Sequence, residues 1–293
     1  MCAVTESGTG AAECPERLKK NRLRVHAPLL QRGTAGVWAA GVLVLAGCTA
    51  LPPVPPPAGV SRAFDRLALA GGVFDVEWHL PAAEPRAWVL VQHGFARRCA
   101  NLRGTAAALA ARGVATLCVN TDRGVEGDAG LAGSAPVLAR ALAVWWLSPA
   151  ARSPDGRAAP ARAVVAGHSA GGLFAAQVGA ALAAHEPARV AGAILFDPVG
   201  AAPLQAALQA LAGRPLHATL APPVRCNALH RALPALRAAG VALVQPAGAT
   251  HVDAEGEDTE TVAVRACGEG PPQPGVVGGL RQWAAEALTA MLH

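Results

Sequence analysis

The chain has 293 residues, 52% of them hydrophobic, and a net charge of +5, enough apolar material for one sizeable domain. Residues 1–47 hold six of the 25 Lys/Arg and three of the 20 Asp/Glu, so the remainder carries only +2 and gives no case for nucleic-acid binding. The only lysines are Lys19 and Lys20, and tyrosine is absent; with abundant Ala, Gly, Pro and Arg, this reflects coding bias rather than function.

From the N-terminus, an apolar run over 34–46 follows basic residues and ends in Leu45-Ala46-Gly47-Cys48. About 13 residues are too few to span a bilayer, so the run reads as a signal-peptide core. Small residues before a cysteine resemble the bacterial lipoprotein signal, in which Cys48 becomes the lipidated first residue. The Pro-rich stretch over 51–57 would then act as a stiff tether. The expected organisation is a signal peptide over 1–47, whose first part is long for a leader; a lipidated cysteine and tether over 48–60; and one catalytic domain over 61–293. The expected location is the cell envelope, with the membrane as partner through Cys48.

An exported chain meets an oxidising compartment. The four cysteines past the tether are expected to pair as Cys99–Cys118 and Cys226–Cys267, with free buried thiols as the alternative. The first bridge would tie a helix start to the following strand, and the second would brace the region around His251. No Cys-x-x-Cys pattern and no His/Asp/Glu cluster at ligand spacing calls for a metal, and no cofactor is expected.

Past the tether, 63–69 and 73–80 read as a hairpin across Gly71-Gly72. Buried strands follow over 88–91, 115–119, 163–166, 190–196, 215–220 and 241–245. Helices are expected over 101–112, 131–147, 173–184, 229–239 and 279–292. Apolar strands alternating with helices imply an α/β fold, with a mostly parallel central sheet covered on both faces. The short stretch between Asp197 and Pro215 leaves no room for a large lid.

The most informative segment is Gly167-His168-Ser169-Ala170-Gly171-Gly172, set between a strand and a helix. A Gly-x-Ser-x-Gly in that context presents a nucleophilic serine on a sharp turn, where side chains at the flanking positions would strike neighbouring backbone. Ser169 needs a base. His185 and His293 lie at helix and chain ends, His217 within a strand, and His230 at a helix start. His251, in the loop after the last strand, is the remaining candidate. Between Ser169 and His251 the only carboxylates are Glu186, at a helix end, and Asp197, directly after a buried strand. Asp197 is assigned as the acid, and Asp253, close to His251 in sequence, is the alternative. Oxyanion donors are expected at the backbone of Ala170 and of Phe95, in Gln92-His93-Gly94-Phe95-Ala96, with Ala96 second. His93 and His168 read as structural.

With these residues in view, the chain resembles α/β-hydrolases of the chlorophyllase and cutinase-like esterase type. Gly167 to Gly172 is similar to the chlorophyllase elbow, which usually has Arg where this chain has Ala170. Phe196-Asp197-Pro198-Val199 is similar to that family's acid-bearing segment. His93-Gly94-Phe95 and Gly248-Ala249-Thr250-His251 are similar to the oxyanion and His segments of cutinase-like polyester hydrolases. Those enzymes usually place the acid after the next strand, where this chain has no carboxylate. The resemblance implies the α/β-hydrolase fold and a serine hydrolase that cleaves a small, lipid or polymeric ester through an acyl-enzyme. Acyl transfer with the same residues, and a non-catalytic envelope lipoprotein that keeps the fold, are the other readings.

Overall fold

The computed structural model describes residues 55–121, 135–200 and 202–293. The signal peptide, Cys48 and the first part of the tether lie outside the described residues, as do residues 131–134 of one expected helix.

Eight strands form one sheet: β1 (Val60–Leu69), β2 (Gly72–Pro81), β3 (Trp88–Gln92), β4 (Ala115–Val119), β5 (Ala163–His168), β6 (Val190–Phe196), β7 (Leu216–Thr219) and β8 (Ala242–Val244). Their spatial order is β1-β2-β4-β3-β5-β6-β7-β8. β2 runs antiparallel to both neighbours, and the remaining pairs are parallel. The hairpin turn is Ala70-Gly71, both at positive φ, with Leu69 paired to Gly72. Gly72 thus belongs to the strand, and the turn falls one residue earlier than expected.

The helices are α1 (Arg103–Ala110), α2 (Ala135–Leu147), α3 (Ala170–His185), α4 (Ala202–Ala210), α5 (Leu233–Ala238), α6 (Thr261–Cys267) and α7 (Pro274–Leu292). Strand residues alternate between two buried clusters, as the period of two requires. Trp88, Leu90, Val165 and Leu195 join the cluster beneath α2, α3 and α4. Val89, Val91, Ile194 and Phe196 join the cluster beneath α1 and α7. Both faces are therefore covered, which explains why the central strands read as unbroken apolar runs.

Some elements differ from expectation. The 101–112 helix is a 3-10 turn over Cys99–Leu102 followed by α1. The 229–239 helix starts late, at Leu233, because Ala228, Leu229 and His230 all take positive φ. The last helix starts early, with Pro274 in its first turn, where proline's missing N–H carries no penalty. α4 and α6 lie in stretches with no expected element.

Both disulfides are present as paired in the sequence reading, with Cα–Cα separations of 5.6 and 5.3 Å, and they fit an oxidising, exported environment. Among the described residues no helix is long and apolar enough to cross a membrane.

Candidate active site

The β5–α3 junction sets the geometry of Ser169. It stands at φ 55° and ψ −124°, directly before the first residue of α3. Three backbone bonds pin this residue: its N–H donates to Phe196 O at 3.0 Å, and its carbonyl accepts from Gly172 at 3.0 Å and Val199 at 3.2 Å. The flanking glycines are obligatory. A Cβ at 167 would run into the carbonyl of Gly171, and one at 171 into the carbonyl of His93. Gly94 belongs to the same close packing, since a Cβ there would lie 3.0 Å from Cβ of Ser169. The loop after β3 therefore passes directly over the serine.

Asp197 follows β6 at φ 42°, its N–H bonded to Thr219 O at 2.9 Å. Its Oδ2 accepts from Nδ1 of His251 at 2.7 Å and from Nδ2 of Asn227 at 3.0 Å. Asp197 and His251 are 4% and 5% exposed, so this contact is shielded from water. The His251 backbone is held at both ends. Its N–H donates to both oxygens of Glu269, at 2.9 and 3.0 Å, and its carbonyl accepts from Nε2 of His168 at 2.7 Å.

Ser169 and His251 line one cleft of about 500 Å³, together with Phe95, Val199, Val262 and the Cys226–Cys267 bridge. Ala170 opens α3, where the first backbone N–H groups have no intrahelical partner and point out of the helix end. Phe95 follows Gly94 in the loop over the serine. His93 is fully buried, its Nε2 3.2 Å from both the N–H and Oγ1 of Thr121.

Asp253, the alternative acid, faces elsewhere. Its Oδ2 accepts the N–H of Thr250 at 2.5 Å, so it closes the His loop rather than orienting the ring. Burial pushes its carboxyl up, against the N–H bond from Thr250. Glu269 is likewise pushed up by burial, against the His251 N–H, with the charges of Asp197 and Asp253 pushing the same way as burial. His168 is held down to about 4, by burial first and by His251 second. It is therefore neutral at working pH, carries its proton on Nε2, and serves the His251 carbonyl. Its Nδ1 stands 3.5 Å from Glu255, whose charge is taken by a two-pronged contact with Arg97 at 2.8 and 2.5 Å. That buried pair ties the loop after Phe95 to the turn after His251.

The residues picked from sequence thus converge: Ser169, Asp197 and His251 at one sheet edge, with Phe95 and Ala170 beside the serine. Sequence reasoning missed Asn227, Glu269 and the Arg97–Glu255 pair. Nothing in the local sequence marks these residues; in the structure the region is set off by backbone strain. Of the seven non-glycine residues at positive φ among the described residues, Ala70 is in the hairpin turn. The others are Ala96, Ser169, Asp197 and the run Ala228, Leu229, His230, all in loops around this site. Strained backbone persists where surrounding contacts over-determine it, commonly at functional sites. No group of three His, Cys, Asp or Glu side chains placed to hold a metal ion occurs among the described residues.

No family model matches the chain, and no curated protein is similar to it in sequence. Solved structures are similar in fold. A thermostable esterase from Pseudomonas putida superposes with a TM-score of 0.59 at 17% identity, over 80% of this chain and 84% of that one. Dienelactone hydrolase from Anabaena variabilis gives 0.53 at 16% identity, over 79% and 98%. Esterase Est22 gives 0.55 at 15% identity, over 80% and 82%. The chain has the α/β-hydrolase fold.

Proposed function

We propose that the chain is a serine hydrolase of carboxylic esters. The observation that carries this reading is the 2.7 Å contact between His251 Nδ1 and Asp197 Oδ2, in a site whose His251 shares a cleft with a strained, elbow-borne Ser169. In this reading His251 takes the proton of the Ser169 hydroxyl as its oxygen adds to the ester carbonyl. The backbone N–H groups of Ala170 and Phe95 receive the negative charge that develops on the carbonyl oxygen, a stabilisation worth about 10²–10³ in rate per donor. His251 returns the proton to the departing alcohol, leaving an acyl-serine. Water then repeats the sequence and releases the acid. Asp197 holds the ring and supports its positive charge.

Phe95 and Val262 are 59% and 66% exposed at the cleft, an apolar lining that suits a hydrophobic acyl or alcohol group. The narrower likeness to chlorophyllase and cutinase-like esterases rests on the four short segments named above and adds no substrate of its own. Lipid anchoring at Cys48 belongs to the same proposal. Cys48→Ser is expected to move the protein from the membrane to the soluble fraction, and retention on membranes would rule the anchor out.

The test is hydrolysis of p-nitrophenyl esters from acetate to palmitate by the wild type and Ser169→Ala. Serine-dependent turnover is expected, with the chain-length optimum sizing the acyl pocket. Turnover that survives Ser169→Ala removes the mechanism. No turnover of any ester, together with no fluorophosphonate labelling, favours a binding lipoprotein.

A further inference from the structure

The loop after β7 carries an amide that is wholly committed. Asn227 is 1% exposed. Its Oδ1 accepts the N–H of Val224 at 2.8 Å, while its Nδ2 donates to Pro222 O at 2.7 Å and to Asp197 Oδ2 at 3.0 Å. A turned amide would set oxygen against the Pro222 carbonyl and the carboxylate, and NH₂ against the Val224 N–H. The neighbours therefore admit one orientation. The oxygen that Asn227 reaches is the one bonded to His251, and the other oxygen of Asp197 has no hydrogen-bond partner among the described residues. His251 and Asn227 grip the same atom from two sides.

This loop is itself tied down. Cys226, next to Asn227, is bridged to Cys267, and two residues beyond Cys267 the Glu269 carboxylate holds the His251 N–H. A closed circuit results: Asp197 to His251, His251 to Glu269, across the disulfide to Asn227, and back to Asp197. The three residues after Asn227 take φ of 51°, 53° and 60°, backbone that the surroundings must hold in place.

We propose that Asn227 is the positioning residue of the acid. The proposal rests on the Ser169, Asp197, His251 reading. The amide N–H fixes the rotation of the Asp197 carboxylate, so that the oxygen stays aimed at the ring when His251 carries the serine proton. An ionised carboxylate at 227 could not donate; an amide donates at every pH. With the acid placed after β6, the loop after β7 supports it with a donor instead of supplying a second acid.

The experiment is steady-state kinetics and pH profiles of Asn227→Leu and Asn227→Asp, with Ser169→Ala in parallel, on an ester that the wild type turns over, each variant checked by thermal melting. Asn227→Leu is expected to lower kcat about 10–100-fold, the loss of one hydrogen bond to a charged group, with KM within about twofold. Asn227→Asp keeps the side-chain shape and the acceptor for Val224. Two touching carboxylates share a proton, and while they hold it the new acid can donate as the amide does. When the proton leaves, two like charges meet. Asn227→Asp is therefore expected to work best at the acid end of the range and to gain an alkaline limb that the wild type lacks. The other titratable groups acting around Asp197 are His251, His168 and Glu269, which both proteins share.

A kcat for Asn227→Leu within about twofold of wild type, or an Asn227→Asp profile parallel to wild type, overturns the proposal. Should Asn227→Leu fail to fold, the Asn227→Asp profile decides. Full turnover by Ser169→Ala, or a wild type with neither turnover nor fluorophosphonate labelling, overturns the triad reading and this one with it. An inert Ser169→Ala beside a fully active Asn227→Leu overturns only the role of Asn227.

Discussion

The two disulfides close chain loops of 19 and 41 residues, and they tie down very different regions. Cys99–Cys118 is buried and joins a 3-10 turn to β4, a strand already paired on both sides by β2 and β3. Cys226–Cys267 is half-buried at the cleft and joins an irregular loop to the short helix α6, beyond the last parallel strands. The first repeats a constraint that packing already supplies. The second lies where the loop has less packing, and its neighbours in sequence, Asn227 and Glu269, touch Asp197 and His251. A covalent link of the same chemistry is thus scaffold in one place and, under the proposed mechanism, alignment in the other.

The carboxylates should separate the two roles most widely. Asp197→Asn is expected to lower kcat by about 10⁴, because the ring loses the charge that fixes its tautomer and supports its protonated form. Asp253→Asn should stay within about tenfold in kcat and lose about 1 kcal/mol of stability, since Asp253 closes the loop through the Thr250 N–H. A mild loss in Asp197→Asn beside a large one in Asp253→Asn would move the acid to Asp253. Removing each bridge tests the comparison directly. The loop-entropy rule assigns about 3 kcal/mol to Cys99–Cys118 and about 4 kcal/mol to Cys226–Cys267, so the two double Cys→Ser variants should melt at similarly lowered temperatures. Only the variant lacking Cys226–Cys267 should also lose kcat, by about tenfold, as a misplaced positioned group does. Matching kcat in both variants would reduce the second bridge to scaffold.

The last effect is on stability alone and concerns His168, which lines the cleft beside His251. Its folded value of about 4 is below its ordinary 6.5, so the unfolded chain takes up a proton that the folded one refuses. The resulting stability is complete above about pH 6.5 and is lost as the pH falls toward 4, about 3 kcal/mol in all. His168→Gln keeps a donor for the His251 carbonyl without the titration. Denaturant melts between pH 7 and 4 should show a steeper acid loss in the wild type than in the variant. Parallel slopes would mean that His168 does not contribute this dependence.

Much of the architecture was legible in advance because it depends on local pattern. Continuous apolar strands led to the sheet, and a Gly-x-Ser-x-Gly between strand and helix, with a scarcity of carboxylates after Ser169, led to the candidates Ser169 and Asp197. The two cysteine pairs were also readable, since each had a structural partner at hand. The misses share a cause. The helix expected over 229–239 gave way at its start to a left-handed turn, because loop contacts outweighed helix propensity there. α6 has only 7 residues, too few for an apolar period to mark it, and it stops at Gly268, a left-handed cap at φ 70°.

Sequence alone determined the elements whose residues act through their own backbone: the buried strands, the glycine-flanked elbow, and the chain order of the candidates Ser169, Asp197 and His251. Only the tertiary structure decided which side chains serve them. Asn227 lies 30 residues from Asp197, and Arg97 lies 158 from Glu255. Hydrogen bonds and buried ion pairs depend on distances of about 3 Å and on the exclusion of water, and no local periodicity encodes either.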